Sequence, residues 1–289
     1  MKAMIKEIIK IGVLCTVAFT SVSVAAKDCT EAQNYFNEGM EAGKAGNWAE
    51  AKSLLQSSID VCERFDNWYL LGQANFYSES YQEAESAYIE ARKYAKHDDQ
   101  IALAIARYAE ARNAMGYHTE AVNLLHDARA LHNDAPQWIA KLALDIDSEL
   151  ANQPVSGESV TRALTTLPPK SFHKYQPKYS LRLNFEYDSE KLVNPEAFDP
   201  KVIVEALKNK ELEDKVFTLM GHSDVRGDEN YNETLSERRA RAIRQAIVDA
   251  APDLAPRIKT LGKGETAPLY EGNSEKEHLL NRRVEIAVE

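Results

Sequence analysis

Two charged residues in the run GHSDVRGDENYNETLSERRARAI, Gly221 to Ile243, are placed where neither has an obvious partner. Val216 to Met220 is a β-rich stretch that ends at Gly221, and helical periodicity runs from about Asn232 until Pro252, so Asp224 falls in the loop joining a strand to a helix. At roughly 100° per residue, Leu235, Arg239, Ala242, Ile243 and Ala246 share one helix face, while Glu237, Arg241 and Arg244 point away from it. Arg239 therefore lies on the apolar stripe, where a guanidinium cannot shed its charge and needs acceptors around it. An α-amino acid head group would satisfy both residues, with its ammonium on Asp224 and its carboxylate on Arg239, the second bond being bidentate. Asn232 stands beside them near the helix start. An Asp224–Arg239 salt bridge that stitches loop to helix would satisfy the same charges, and spacing alone does not separate the two readings.

The ordered motifs of this half carry a resemblance. Gly221-His222-Ser223-Asp224 is followed by Asn232, Leu235, Ser236, Arg239 and Ala240. Before them come Asn184-Phe185 and Asp188-Ser189 with Leu192; after them come Gly262-Lys263-Gly264-Glu265 with Pro268, then Asn281-Arg282-Arg283-Val284-Glu285-Ile286. Residues 180–289 thereby resemble the OmpA-like peptidoglycan-binding domain of OmpA C-terminal domains, peptidoglycan-associated lipoproteins and flagellar stator proteins. The resemblance implies that Asp224 and Arg239 hold the diaminopimelate of a peptidoglycan stem peptide and that Asn232 and Leu235 line the same pocket. Asp188, Ser236 and Arg283 are expected to support its walls, although Asp188 would equally cap the following turn.

These residues must be positioned by a strand and helix alternation: Leu181 to Tyr187, a helix from about Pro195 to Lys208, Val216 to Met220, the Asn232 helix, Arg257 to Leu261 and Arg282 to Val288. In the last strand Val284, Ile286 and Val288 alternate with Arg283 and Glu285. The expectation is an α+β sandwich with helices on one sheet, a βαβαββ order that the resemblance also implies.

Residues 27–152 read differently. Gly39 and Gly72, and likewise Ala51 and Ala84, keep one 33-residue period, with Trp48, Trp68, Tyr81 and Tyr88 at intervening positions. A looser third copy holds Ala109, Gly116, Ala121, Leu125 and Ala128. Its Ala121 follows Ala84 by 37 residues, which predicts a longer turn between repeats. This half resembles the tetratricopeptide repeat, with Pro136 to Leu150 as a capping helix. Such a stack implies a groove for a partner protein, with Asn37, Asn75 and Arg112 as candidate groove residues. A spacer is the plainer alternative. Residues 153–179, with Pro154, Gly157, Pro168, Pro169 and Pro177, read as an extended linker in which Ser159 to Leu164 forms at most one helical turn.

Residues 1–26 have the make-up of a secretory signal peptide: Lys2, Lys6 and Lys10, an apolar stretch from Ile11 to Val24, and the small residues Val24-Ala25-Ala26. The expected address is the periplasm, wall-associated and near the outer membrane. Cys15 would leave with the leader. Cys29 and Cys62 then remain as an even count in an oxidising compartment and are expected to form a disulfide that clips the first helix to the start of the next repeat. Without residues 1–26 the chain has 32 basic and 44 acidic residues, a balance that argues against nucleic acid as a partner.

Other chemistry is poorly supported. No Ser or Cys stands in an activating context, and His222 reads as a hydrogen-bonded structural residue. His97, His118, His126, His132, His173 and His278 lack metal-ligand spacing. Arg226-Gly227-Asp228 matches a short adhesion tripeptide but belongs to the loop. Neither enzyme activity, cofactor nor metal is expected. Two functions remain: a non-catalytic anchor that grips diaminopimelate while the repeats recruit an envelope protein, or a secretion or motility scaffold whose OmpA-like domain binds protein in place of cell wall.

Overall fold

A computed structural model of the chain describes residues 29–132, 135–151, 153–165, 176–183, 185–186, 188–193 and 195–289. The expected leader, Cys15, the Pro168-Pro169 pair and Asn184 lie outside them. Two compact units divide between Met115 and Gly116.

The first unit holds α1 (Thr30–Lys44), α2 (Trp48–Val61), α3 (Phe65–Tyr77), α4 (Tyr81–Lys93) and α5 (Asp98–Ala114). Each helix packs on the next, and α3 also touches α1 and α5, the contact pattern of stacked helix pairs. The repeating glycines have a steric cause. A Cβ on Gly39 would lie 2.9 Å from Leu55, and one on Gly72 would lie 2.5 Å from the ring of the fully buried Tyr88, so each first helix meets its second at the glycine. The turns after α1, α3 and α5 each pass through a left-handed residue, Gly46 (φ 80°), Glu79 (φ 62°) and Gly116 (φ 86°), a conformation that glycine adopts without a Cβ penalty. Glu79 holds it as an ordinary residue. The longer third period arises mainly inside a helix: α5 has 17 residues against 13 in α3, while the turn between repeats, 94–97 against 62–64, is only one residue longer. Cys29 precedes α1 and Cys62 follows α2, and their disulfide (Cα–Cα 5.6 Å) closes the ends of one helix pair.

The second unit begins with α6 (His118–Leu131), α7 (Gln137–Leu150) and α8 (Gly157–Thr165). It continues through β1 (Lys178–Leu181), α9 (Pro200–Leu207), β2 (Phe217–Gly221), α10 (Glu229–Ala250), β3 (Ile258–Gly262), α11 (Glu275–Asn281) and β4 (Val284–Val288). The strands form one mixed sheet in the order β1-β4-β2-β3, in which β2 and β3 are parallel and β4 runs antiparallel to both of its neighbours. Tyr179, Leu181, Phe217, Leu219, Val284 and Ile286 point to one face, where they share a core with Ile203 and Leu207 of α9 and Ile243 and Ile247 of α10. This is the expected sandwich of helices on a sheet.

Three boundaries differ from expectation. The first strand spans Lys178–Leu181, ahead of the expected Leu181 to Tyr187, and Phe185 makes only an isolated bridge to Leu192. α10 starts one turn before Asn232, because the Asp228 side chain accepts from the Tyr231 amide and caps the helix. The stretch read as an extended linker contains α8, whose Val160, Ala163 and Leu164 lie at helical spacing and enter the C-terminal core.

α6 and α7, assigned by their repeat pattern to the N-terminal half, belong to the second unit. Asn123 of α6 donates to the Lys178 carbonyl (2.8 Å), and Arg129 of α6 donates to the Leu269 carbonyl (2.6 Å). Asp147 of α7 is fully buried, paired to Arg182 and bonded by Tyr270 (2.6 Å) and His126 (3.0 Å). Burial alone would raise that carboxyl, but the Arg182 charge and the bonds from His126 and Tyr270 hold it well below the usual carboxylate range. Ion pairs between residues far apart in sequence leave no periodic signature, so only the folded chain displays this join.

Candidate functional site

The loop from Gly221 to Asp228 passes from β2 into α10, and two glycines let the sheet approach that helix closely. A Cβ at Gly221 would collide with the Ser236 carbonyl, and one at Gly262 would lie 2.5 Å from the Glu233 carbonyl oxygen. Ser236 fixes the adjoining loop: its hydroxyl donates to the Glu233 carbonyl (2.8 Å) and accepts from the Gly264 amide (2.9 Å). The Ser223 amide then donates to the Gly264 carbonyl (2.8 Å). A cavity of about 630 Å³ opens beside this loop, and Asp224, Asn232, Leu235, Arg239 and Asp188 all line it.

Asp224 and Arg239 share the cavity without pairing. Asp224, 6 % exposed, receives the Arg226 backbone amide (3.1 Å) and Arg226 Nε (3.0 Å) on Oδ1, and Arg226 Nη2 (2.8 Å) and Arg282 Nη1 (2.6 Å) on Oδ2. Burial would raise this carboxyl, yet the bonds from Arg226 and Arg282 hold it well below the ordinary range, so it is ionised at neutral pH. Arg239, 4 % exposed, donates Nε to the Ser189 carbonyl (3.1 Å) and lies 4.8 Å from the centre of the Phe185 ring. Among the described residues no carboxylate comes within ion-pair distance of it. Burial, joined by the charge of Arg282, pushes its pKa down to about 10, so it stays cationic at neutral pH. The loop-stitching salt bridge is therefore not formed.

The remaining expected residues take separate places. Asn232 Nδ2 donates to Glu265 Oε2 (2.5 Å) and the Arg226 carbonyl (3.2 Å), which commits the amide nitrogen to holding the loop in shape. Asp188 stands at the cavity edge with a left-handed backbone (φ 51°) and faces Arg238 at 3.8 Å. Ser236 acts through the loop and does not line the cavity. Arg283 does not line it either. Its Nε bonds Glu285 (2.8 Å) on the opposite side of the sheet, as strand alternation requires. His222 is buried with its Nε2 3.7 Å from Glu285, too far for the hydrogen bond expected of it, and burial lowers its pKa.

The lining residues that sequence reasoning did not find include Arg226, Arg282, Glu275 and Ser223. Arg226 lies in the adhesion-like tripeptide of the loop, which hides its charge from a motif search. Arg282 had a usable signal, since it shares parity with Val284 and Ile286, which point towards α10. Glu275 bonds both arginines, Arg226 Nη1 at 3.0 Å and Arg282 Nη2 at 3.3 Å. Ser223 is buried, and its hydroxyl has no hydrogen-bond partner among the described residues. The cavity thus offers an ionised carboxylate, a buried guanidinium without a counter-charge, and an apolar wall of Phe185 and Leu235. In the first unit, candidate groove residue Arg112 has its Nε 3.4 Å from Glu85, and Asn75 is buried.

A family model described as the OmpA family matches residues 184–282, the segment that builds this cavity. The peptidoglycan-associated lipoprotein of Pseudomonas aeruginosa is 31% identical over 132 residues, which is 46% of this chain and 67% of that protein. The peptidoglycan-associated lipoprotein of Legionella pneumophila is 32% identical over 122 residues, 42% of this chain and 67% of its own. Outer membrane porin F of Pseudomonas aeruginosa is 31% identical over 112 residues, and there the match spans only 31% of the relative's length and 39% of this chain. Through its C-terminal domain, the chain belongs to the OmpA family.

Proposed function

We propose that this is a non-catalytic peptidoglycan-binding protein of the Gram-negative periplasm, held at the wall near the outer membrane, whose cavity takes the free amino acid end of a diaminopimelate side chain. The observation that carries the reading is Arg239: a buried cation, facing a cavity, with no carboxylate in reach among the described residues. A carboxylate ligand would supply the missing charge, with the Ser223 hydroxyl as an additional donor. The ligand ammonium would go to Asp224 and its methylene chain to Leu235 and Phe185. Two relatives named peptidoglycan-associated lipoproteins support the peptidoglycan part of this reading. The N-terminal helix pairs would recruit an envelope protein.

Co-sedimentation with purified sacculi tests the reading. Wild type is expected in the pellet, and Asp224→Ala and Arg239→Ala in the supernatant, with circular dichroism confirming that both variants fold. Equal retention of all three proteins would refute the pocket assignment and favour a scaffold that binds protein.

A further inference from the structure

The acceptor capacity of Asp224 is already full. A carboxylate offers about four lone-pair sites, and here four donors occupy them: the Arg226 amide, Arg226 Nε, Arg226 Nη2 and Arg282 Nη1. An incoming ammonium can add no bond to this carboxylate without displacing one. The four are not equally held. The Arg226 amide is fixed by the backbone, and the Arg282 side chain is 21 % exposed. The Arg226 side chain is 52 % exposed, contributes two of the four bonds, and already rests Nη1 on Glu275 at 3.0 Å. Glu275 is 69 % exposed and stands at the cavity edge. It offers a second carboxylate for the guanidinium once Asp224 is released.

We infer that Arg226 is an internal competitor for the cation subsite: its guanidinium occupies the place of the ligand ammonium and swings onto Glu275 when an amino acid head group binds. This rests on the assignment of Asp224 as the ammonium site. The arrangement sets specificity as well as affinity. A ligand with an ammonium displaces the guanidinium and replaces its bonds on Asp224, whereas a ligand with only a carboxylate gains Arg239 and leaves Arg226 in place. The pocket therefore discriminates zwitterions from plain carboxylates by the exchange of one cation for another. Asp224 remains paired in both states, so its charge is never buried alone.

Titration calorimetry of the full chain with free meso-diaminopimelate, and with pimelate as the ammonium-free control, tests the exchange. Arg226→Ala should bind diaminopimelate roughly three- to tenfold more tightly than wild type, the range expected for losing a partly exposed competing ion pair. Arg226→Lys, which keeps the charge and loses the bidentate fork, should fall between them. Glu275→Gln should weaken binding severalfold in the wild-type background and leave it unchanged in the Arg226→Ala background, since the resting place matters only when Arg226 is present. Pimelate should bind the wild type and Arg226→Ala alike. Equal or weaker diaminopimelate binding by a folded Arg226→Ala would overturn the competitor and make Arg226 a ligand contact. If neither wild type nor Arg226→Ala gives any binding heat, the zwitterion reading of the cavity falls, and the competitor with it.

Discussion

Arg239 and Asp224 illustrate how burial and partners divide between two charges in one cavity. Arg239 is stripped of water and given one carbonyl and one aromatic face, while Asp224 is given more donors than it can release without cost. Asp127 on α6 shows the opposite electrostatics. Burial pushes its carboxyl up to about 6, Lys178 pulls it down and Glu285 pushes it further up. A carboxyl whose pKa is higher in the folded protein binds its proton more tightly there, so its contribution is greatest below about pH 4 and is lost as pH climbs towards 6. Asp127→Asn should remove that loss, making the variant about 1–3 kcal/mol more stable than wild type at pH 7 and leaving them similar near pH 4. Urea denaturation at the two pH values measures it. Asp147 and Asp224 have depressed pKa values, and their stabilisation should disappear only below about pH 4.

Elements in both units are set by close approach. Gly72 of α3 leaves room for the ring of Tyr88 of α4, and the fully buried tyrosine has nowhere to retreat. Gly72→Ala should cost about 1–3 kcal/mol through overpacking, read as a lower denaturation midpoint of the first unit with unchanged slope. The repeat glycines and the longer third period were legible from spacing, but where the extra residues went was not. Turn and helix insertions shift the downstream pattern equally, and only backbone hydrogen bonding placed them mainly in α5. In the same way, Val160, Ala163 and Leu164 carried a helical pattern in a Pro- and Ser-rich stretch, and burial against the C-terminal core made it a helix.

The whole molecule consists of two units with separate cores. The Cys29–Cys62 disulfide lies in the first and closes a chain separation of 33 residues. Reduction should destabilise that unit by roughly 3–4 kcal/mol through the freed chain entropy, while the diaminopimelate affinity proposed for the second unit should be unchanged. Thermal scans with and without dithiothreitol, paired with calorimetric titration under both conditions, check the two halves of this expectation. A parallel loss of ligand affinity would show that the cavity depends on the first helix pair.

Sequence alone determined the acid and base of the cavity, the strand-to-helix loop that carries them, the repeat period and the domain family, because each depends on residues close together or at a regular interval. Tertiary structure decided which charges meet. Arg282 lies 58 residues from Asp224 and bonds it, whereas Arg239 lines the same cavity and does not. It also decided that α6, α7 and α8 belong with the C-terminal sheet, through Asp147 with Arg182 and Val160 in the common core. The physical reason is the range of the interactions. Periodicity records which face of an element is buried, but an ion pair forms or fails over a few ångströms between segments whose separation is set by the packing of the entire unit.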